Sequence, residues 1–141
     1  MFRTIDETIM VAGQIAPEDL AEAKAQGVAF VINNRPDHEQ PGQPTSAEMA
    51  AAAEAAGLGY VHIPVDHSGF SMEQVEAMTA ALAAPGRKLA FCRSGTRSTN
   101  LWSLARGAAG DEPAEIAAKA ANAGYDVSGL MPVIEGLRAK P

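Results

Sequence analysis

The chain alternates between short apolar runs and stretches with helical spacing, and glycines separate the two. The apolar runs predict strands of a buried parallel sheet, because such strands read as nearly continuous apolar and β-branched segments. Pro64 is expected at the end of its strand or on a sheet edge, since proline lacks the N–H that a central strand uses. The predicted strands are Ile9–Ala12, Val28–Asn33, Tyr60–Val65 and Lys88–Cys92.

Helices are predicted between and after these strands. Proline and acidic residues at positions 17–19 favour a helix start, and Gly27 suits the end of that helix. Thr45–Glu48 and Ser71–Gln74 both match the capping box that opens a helix. The alternation predicts one α/β domain over residues 1–141, with a mainly parallel sheet of about four or five strands flanked by helices. Further helices are expected to begin near Ser98 and to span Pro113–Ala123 and Leu130–Arg138.

Composition and charge narrow the function classes. A chain of 141 residues has room for one compact domain. Its formal net charge of −6 argues against nucleic-acid binding, which favours a basic face, and against anionic membranes. No apolar run approaches the roughly 20 residues that cross a bilayer, and the early acids oppose a signal peptide. Cys92 is the only cysteine, so no intramolecular disulfide can form and a cytoplasmic location is the default expectation.

One segment carries the candidate chemistry. Cys92 ends a predicted buried strand, and a loop with Gly95 leads directly into a helix. Ligands of open parallel sheets bind beyond the carboxyl ends of strands. The first helical turn offers free N–H groups and a positive dipole end, and Arg93 and Arg97 add positive charge. Because glycine tolerates positive φ, the loop can turn its amides inward. The segment therefore predicts an anion site over an activated thiolate, with the amides of residues 93–97 as ligands.

A buried core cysteine at a strand end is the simpler interpretation of Cys92, and it is common. The arginines and the glycine that follow make a nucleophile the better hypothesis. For Arg35, on the rim of the same sheet edge, an ion pair with Asp37 or Glu39 is as good an interpretation as substrate contact. The candidate substrate-binding residues are Arg93, Ser94, Gly95, Thr96, Ser98 and Arg35.

The segment CRSGTRS resembles the active loop of rhodanese-type sulfurtransferases, in which a cysteine opens a six-residue loop. It is also similar to the signature of cysteine-based protein tyrosine and dual-specificity phosphatases. In that signature His-Cys is followed by five residues, an arginine and then Ser or Thr. Here four residues separate Cys92 from Arg97, and Phe91 stands in place of the histidine.

A wider resemblance covers about residues 1–110. The segments VAGQIAPEDL, VINNRPDHEQPGQP, YVHIPV and CRSGTRSTNLW are similar to the phosphatase-like domain of bacterial beta-lactamase-hydrolase-like proteins. This resemblance implies a dual-specificity-phosphatase-like fold. The family occurs alone or fused to a persulfide-dioxygenase-like metallohydrolase, so a partner of that kind is implied. Members have been described both as phosphatase-like and as sulfur transferases.

Loop length makes sulfur transfer the leading hypothesis. A loop shorter by one residue, about 3.3–3.6 Å of chain, has one amide fewer. It suits the terminal sulfur of thiosulfate or a persulfide better than a phosphoryl group. The Cys92 thiolate would take that sulfur as a persulfide, while the loop amides with Arg93 or Arg97 bind the anionic end of the donor. An external thiol must then accept the sulfur, because the chain has no second cysteine.

A phosphatase is the alternative hypothesis. Cys92 would form a phosphocysteine, Arg97 would bind the phosphoryl oxygens, and Asp66 would protonate the leaving group. Asp66 follows the YVHIPV strand, about where dual-specificity phosphatases carry their acid, although a solvated loop aspartate is an equally good interpretation. A third hypothesis is a non-catalytic module that binds anions or senses persulfides.

No metal or cofactor is expected. The three histidines lack metal-ligand spacing, and one cysteine cannot build a thiolate zinc site. The chain has neither a Walker nor a Rossmann phosphate loop, which argues against a nucleotide cofactor. The predicted ligand is therefore a small anion: thiosulfate, a persulfide or a phosphoester.

Overall fold

Five strands form one sheet in the computed structural model, which describes residues 2–139. Their order across the sheet is β1-β2-β5-β3-β4, and every neighbouring pair is parallel except β1 with β2. The predicted α/β class with a mainly parallel sheet is confirmed. Because β5 is the middle strand, the residues that follow it leave the sheet at its centre. The strands are β1 (Arg3–Asp6), β2 (Ile9–Ala12), β3 (Val28–Asn33), β4 (Gly59–His62) and β5 (Arg87–Phe91).

The strand predictions differ from the structure at three places. The strand predicted at Lys88–Cys92 lies at Arg87–Phe91, so Cys92 is the first residue after it. The sequence pattern does not predict β1, because Ile5 is the only buried residue of this edge strand and no apolar run marks it. The strand predicted at Tyr60–Val65 ends its ladder at His62, and Pro64 lies beyond it. Ile63 and Val65 still donate backbone hydrogen bonds to the carbonyls of Asn33 and Asn34. Pro64, which lies between them, has no N–H to donate.

Six α-helices accompany the sheet in the described part of the chain. Both predicted capping boxes are present, with Thr45 and Ser71 as the capping residues. α4 begins at Thr96, earlier than the predicted start near Ser98, because Gly95 already serves as its N-cap with a φ of +87°. None of the helices within residues 2–139 is both long and apolar enough to cross a bilayer. The helices are α1 (Leu20–Ala25), α2 (Ser46–Ala55), α3 (Met72–Leu82), α4 (Thr96–Ala108), α5 (Pro113–Asn122) and α6 (Met131–Arg138).

Each face of the sheet has its own apolar core, because successive strand residues point to opposite faces. On one face Ile9 and Ala90 pack with residues of α3 to α6, among them Trp102, which is 2% exposed. On the other face Met10 and Leu89 pack with residues of α1 and α2. The two cores hold β5 from both sides, which fixes the position of the loop that follows it.

The carboxyl ends of the central strands lie side by side. Asn33 at the end of β3 pairs in register with His62 of β4 and with Phe91 of β5. The segments that begin at Asn34, Ile63 and Cys92 therefore leave the sheet at the same edge. This edge is where open parallel sheets bind ligands, and it carries every site residue that the sequence predicts.

Candidate active site

The candidate nucleophile lies at the junction of β5 and α4. Cys92 directly follows the strand, and its side chain is buried. The sulfur accepts a hydrogen bond of 3.1 Å from the Gly95 amide. Gly95 adopts a φ of +87°, which residues with a Cβ rarely do, and this turn brings its N–H back to the sulfur. The sulfur thus lies at the positive end of a helix dipole, where a thiolate is stabilised.

The carbonyl groups of the loop point away from the sulfur. The Arg93 carbonyl accepts a hydrogen bond of 3.2 Å from the Gln14 amide, and the Ser94 carbonyl accepts one of 2.9 Å from the Tyr125 hydroxyl. The next carbonyl, that of Gly95, accepts the first hydrogen bonds of α4. The C=O and N–H of a trans peptide point in opposite directions, so the three amides that follow these carbonyls face inward. Inward-facing amides at residues 94–96 suit an anion, and the anion site that the sequence places at residues 93–97 stays a prediction.

Arg97 is fixed by a carboxylate and a carbonyl. Its Nη1 and Nη2 donate to the two oxygens of Glu39 at 2.7 and 2.9 Å, and Nη1 also donates to the Val65 carbonyl at 2.6 Å. These bonds use three of the five N–H donors of a guanidinium. The other two, on Nε and Nη2, share one edge of the group and have no oxygen acceptor among residues 2–139, while the guanidinium also interacts with the Cys92 sulfur. That edge is the bidentate fork that matches two oxygens of a tetrahedral anion.

Sequence reasoning names Glu39 only as a possible ion-pair partner of Arg35 and misses its contact with Arg97. Its carboxylate also accepts a hydrogen bond of 2.8 Å from Arg35 Nε, so it bridges two arginines. The hydrogen bond from Arg97 is the main cause that lowers the pKa of Glu39 to about 2. The pKa of Arg97 is raised in turn, first by the hydrogen bond to Glu39 and also by its interaction with Cys92. Glu39 therefore stays ionised and holds the guanidinium beside the sulfur.

Arg35 is a second partner of the Glu39 carboxylate that holds Arg97. Its side chain is only 2% exposed, and it donates from Nη1 to Gln14 and from Nη2 to Gln40 besides the bond to Glu39. The ion pair between Arg35 and Glu39, one of the two interpretations of the sequence, is thus present. Substrate contact by Arg35 stays a prediction, and its guanidinium already has a partner on each nitrogen.

A cavity of about 640 Å³ opens above the loop. Arg93 and Ser94 line it from the loop side, and Asp66 and Phe70 line it from the segment after β4. Cys92 itself is buried and is not among the residues that line the cavity. The remaining lining residues are His67, Gly69, Thr96, Arg97 and Asn100.

Asp66 is exposed on the rim of this cavity, where the sequence places the candidate acid. Its Oδ1 accepts hydrogen bonds from the amide of Ser68 at 2.8 Å and from its hydroxyl at 2.5 Å. These bonds, with the hydroxyl first, lower the pKa of Asp66. The carboxyl group is therefore ionised in the free protein at neutral pH, and it must gain a proton before it can act as an acid.

The two candidate site residues of α4 that carry a hydroxyl occupy different environments. Thr96 is exposed to the cavity, and its Oγ1 accepts a hydrogen bond of 3.1 Å from Ser94 Oγ. Ser98 is fully buried, and its Oγ has no hydrogen-bond partner among residues 2–139. A buried hydroxyl without a partner costs about 1–3 kcal/mol. Substrate contact by Ser98 stays a prediction, because Ser98 is not among the residues that line the cavity.

The histidines are placed apart from one another. His62 Nε2 lies 2.8 Å from the carbonyl of Arg35, which gives it a structural partner, and His67 lines the cavity. Within residues 2–139 no group of three His, Cys, Asp or Glu side chains is arranged to hold a metal ion.

The fold and the Cys92 loop define a cysteine phosphatase-like domain. Residues 1–110 match the sequence model of the family described as "Beta-lactamase hydrolase-like protein, phosphatase-like domain". The chain belongs to this family, so the resemblance found in the sequence is confirmed. Tyr125 and the helices α5 and α6 lie beyond the matched residues.

Relatives and solved structures agree with this assignment. A beta-lactamase hydrolase-like protein of Agrobacterium fabrum strain C58 is 39% identical over 101 residues, which are 71% of this chain and 23% of that protein. A putative phosphatase from Neisseria meningitidis Z2491 has a TM-score of 0.80 and 33% identity, over 96% of this chain and 97% of that one. PTPMT1 shares the fold, with a TM-score of 0.72 and 17% identity over 98% of this chain and 94% of that one. The chain spans about a quarter of the length of the curated relative.

These comparisons favour the alternative hypothesis over the leading one. The predicted dual-specificity-phosphatase-like fold is confirmed by its structural neighbours. The putative phosphatase and the family description support a cysteine phosphatase-like domain. None of the proteins reported above is described as a sulfurtransferase, so the sequence preference for sulfur transfer has no support from them.

Proposed function

We propose that the chain is a cysteine-dependent hydrolase of small phosphoesters. The observation that carries this proposal is the free edge of Arg97. Glu39 and the Val65 carbonyl hold the guanidinium in place, and two N–H donors remain on the edge beside Cys92 that no protein oxygen among residues 2–139 uses. Two such donors beside inward-facing amides suit the oxygens of a phosphoryl group.

The first step transfers the phosphoryl group to sulfur. The Cys92 thiolate attacks phosphorus, the S–P bond forms, and the P–O bond to the leaving group breaks. The loop amides and Arg97 bind the non-bridging oxygens as their negative charge redistributes. The leaving oxygen takes a proton from Asp66 when that carboxyl is protonated. It leaves as an anion when the alcohol or phenol that it would form is acidic enough.

The second step returns the enzyme to its starting state. Water attacks phosphorus, the S–P bond breaks, and the electron pair returns to the Cys92 sulfur as a thiolate. Asp66, now ionised, accepts the proton that the water loses. The lowered pKa of Asp66 suits this step, because an ionised carboxylate is the form that acts as a base.

The test is hydrolysis of an aryl phosphate by the full chain, with Cys92→Ser and Arg97→Lys alongside. Release of inorganic phosphate that both substitutions reduce by at least about 100-fold supports the proposal, because each removes a group that binds the transition state. The matched control for the arginine is Arg138→Lys, at an exposed position near the end of α6. Equal turnover by wild type and Cys92→Ser would overturn the proposal.

Sulfur transfer is retained as a second candidate because of one observation. Four residues separate Cys92 from Arg97, so the ring of amides is smaller than in the phosphatase signature. In this reaction the Cys92 thiolate attacks the outer sulfur of thiosulfate, the S–S bond breaks and sulfite leaves. The persulfide on Cys92 then passes its sulfur to an external thiol, because no other cysteine is present.

Intact-mass measurement separates the two candidates. The protein is exposed to thiosulfate or glutathione persulfide, and its mass is then measured. A Cys92-dependent gain of one sulfur atom, together with no phosphate release from aryl phosphates, would replace the phosphatase proposal by sulfur transfer. A partner of the persulfide-dioxygenase type would then be the class of enzyme that consumes the product. Binding of sulfate with neither turnover would leave the third hypothesis, a non-catalytic anion or persulfide module.

A further inference from the structure

A tyrosine outside the family-matched segment contacts the same peptide group that contacts the nucleophile. Tyr125 follows α5, and its hydroxyl donates a hydrogen bond of 2.9 Å to the Ser94 carbonyl. The peptide that contains this carbonyl also contains the Gly95 N–H, which donates to Cys92 Sγ at 3.1 Å. One peptide unit therefore connects the tyrosine hydroxyl to the sulfur.

We propose that Tyr125 is a positioning residue that stabilises the Cys92 thiolate through the peptide between Ser94 and Gly95. Its hydroxyl withdraws electron density from the carbonyl, and the N–H at the other end becomes a stronger donor to the sulfur. Consecutive hydrogen bonds polarise one another in this way. The hydroxyl also fixes the plane of a peptide that a glycine would otherwise leave free to turn. The inference rests on the proposed function only in taking Cys92 as the nucleophile.

The tyrosine is held tightly against the loop. A Cβ placed on Gly95 would lie 2.1 Å from Tyr125 Oη, so the hydroxyl occupies the space that any other residue at position 95 would need. The guanidinium of Arg3 lies 5.6 Å from the centre of the tyrosine ring and donates to the Ala123 carbonyl at 3.1 Å. Strand β1, which contains Arg3, therefore places a cation over the face of the ring.

The effect of Tyr125 on the sulfur can be separated from the effects of the charged groups nearby. Arg97 interacts with Cys92 from α4, and Glu39 fixes Arg97 from the loop after β3. Burial is the main cause that raises the pKa of Tyr125 above its usual value of 10.0, so the hydroxyl stays protonated and remains a donor wherever the thiol titrates below that pH. Arg93 and Asp66 line the cavity above. Tyr125→Phe leaves all of these groups in place and removes a single oxygen.

The experiment is a pH titration of the ultraviolet thiolate absorbance in wild type and Tyr125→Phe. Each is read against its own Cys92→Ser version, which subtracts tyrosine ionisation; no other thiol contributes, because Cys92 is the only cysteine. The expected result for Tyr125→Phe is a rise of the titration midpoint by about half to one pH unit. This is a three- to tenfold smaller thiolate fraction at pH values below the midpoint, as expected for partial loss of a hydrogen bond to a charged group.

Tyr60→Phe is the matched control. It removes the chain's other tyrosine hydroxyl, which lies 3.0 Å from Asn33 Nδ2 and 2.7 Å from Ser46 Oγ and has no contact with the loop. The titration midpoint of Tyr60→Phe should equal that of wild type, and the thermal midpoint of both variants shows that each is folded.

The outcomes distinguish this inference from the proposed function. A raised midpoint in Tyr125→Phe alone supports the inference even if no phosphoester is hydrolysed. An unchanged midpoint, or an equal rise in Tyr60→Phe, overturns it and leaves Tyr125 with a purely structural role. Where turnover is measurable, kcat/KM at pH values below the midpoint should fall by the same factor as the thiolate fraction.

Discussion

Glu39 holds Arg97 through both of its carboxylate oxygens, at 2.7 and 2.9 Å, although the two residues are 58 positions apart in the chain. The same carboxylate accepts a hydrogen bond from Arg35 at 2.8 Å. An arginine that binds a substrate anion in solution must first give up side-chain freedom, and this pair removes that freedom in advance. The ion pair therefore prepares the site for an anion, although Glu39 itself carries a negative charge.

Glu39→Gln tests this preparation. The amide removes the charge and one of the two acceptors for Arg97, so the guanidinium loses its fixed plane. We expect kcat/KM for an aryl phosphate to fall by roughly 10- to 100-fold, as for other small misplacements of a catalytic group. Steady-state kinetics measure the effect. Glu54→Gln, an exposed position on α2, is the control and should retain wild-type kinetics, whereas an unaltered kcat/KM in Glu39→Gln would contradict the role of the ion pair.

The same pair predicts an acid-dependent loss of stability. The two arginines, with the hydrogen bond from Arg97 first, lower the pKa of Glu39 from 4.5 to about 2. A carboxyl with a depressed pKa in the folded state stabilises that state fully above its unfolded pKa and loses the effect as the pH falls through the folded value. Wild type should therefore exceed Glu39→Gln in unfolding free energy by about 1–2 kcal/mol at neutral pH, after allowance for solvent screening.

Urea unfolding at a series of pH values measures that difference. The difference between wild type and Glu39→Gln should be constant at neutral pH and shrink as the pH falls from 4.5 towards 2. A difference that stays constant over this range would mean that Glu39 does not contribute through its charge.

The parts of the fold that local sequence determines are the parts that the sequence predicts. β2 and β3 lie at their predicted bounds, because all of β2 and the last three residues of β3 are buried on both faces. The capping boxes at Thr45 and Ser71 open the expected helices, because every atom of a capping box lies within one helical turn. β1 escapes prediction, since its position at the sheet edge gives it no apolar pattern.

The candidate site divides in the same way. The sequence predicts the Cys92 loop, because the nucleophile, the turn glycine and Arg97 lie within six consecutive residues. It cannot predict which acid holds Arg97, because that depends on β3 and β5 being neighbours, which brings the loop after β3 beside α4. The contact between Tyr125 and Ser94 also lacks a local signal, since it forms across 31 positions.

Gly95→Ala tests the close packing of the loop. The new Cβ would meet Tyr125 Oη at 2.1 Å, and the residue would keep a φ of +87° that suits glycine. Backbone strain of about 1–2 kcal/mol and overpacking of about 1–3 kcal/mol predict a total loss of about 2–5 kcal/mol of unfolding free energy. Denaturant unfolding measures it.

Gly110→Ala separates the two causes. Gly110 has a φ of +101° but no atom within 4 Å of its potential Cβ, so only the backbone strain applies there. We expect a loss of about 1–2 kcal/mol in Gly110→Ala. Equal losses in the two variants would show that the tyrosine yields without cost.

Ser68→Ala tests the role of Asp66 as the acid of the first step. The hydroxyl of Ser68 is the main cause that lowers the pKa of Asp66, so its removal should raise that pKa and keep the carboxyl protonated to higher pH. The basic limb of the kcat profile should then move to higher pH for an alkyl phosphate, whose leaving oxygen needs a proton. An aryl phosphate with an acidic leaving group should show no such shift, since its oxygen departs without a proton.

Asp66→Asn completes this test, because an amide cannot donate the proton at any pH. We expect kcat for the alkyl phosphate to fall by about 100-fold or more, and kcat for the aryl phosphate to change far less. The control for Ser68→Ala is Thr8→Ala. It removes a hydroxyl that donates to Asp6 in the same way, in a turn at the opposite end of the sheet. Equal losses for both substrates in Asp66→Asn would show that Asp66 is not the proton donor. A proton donor accelerates the alkyl phosphate much more than the aryl phosphate, because only the alkyl leaving oxygen needs a proton.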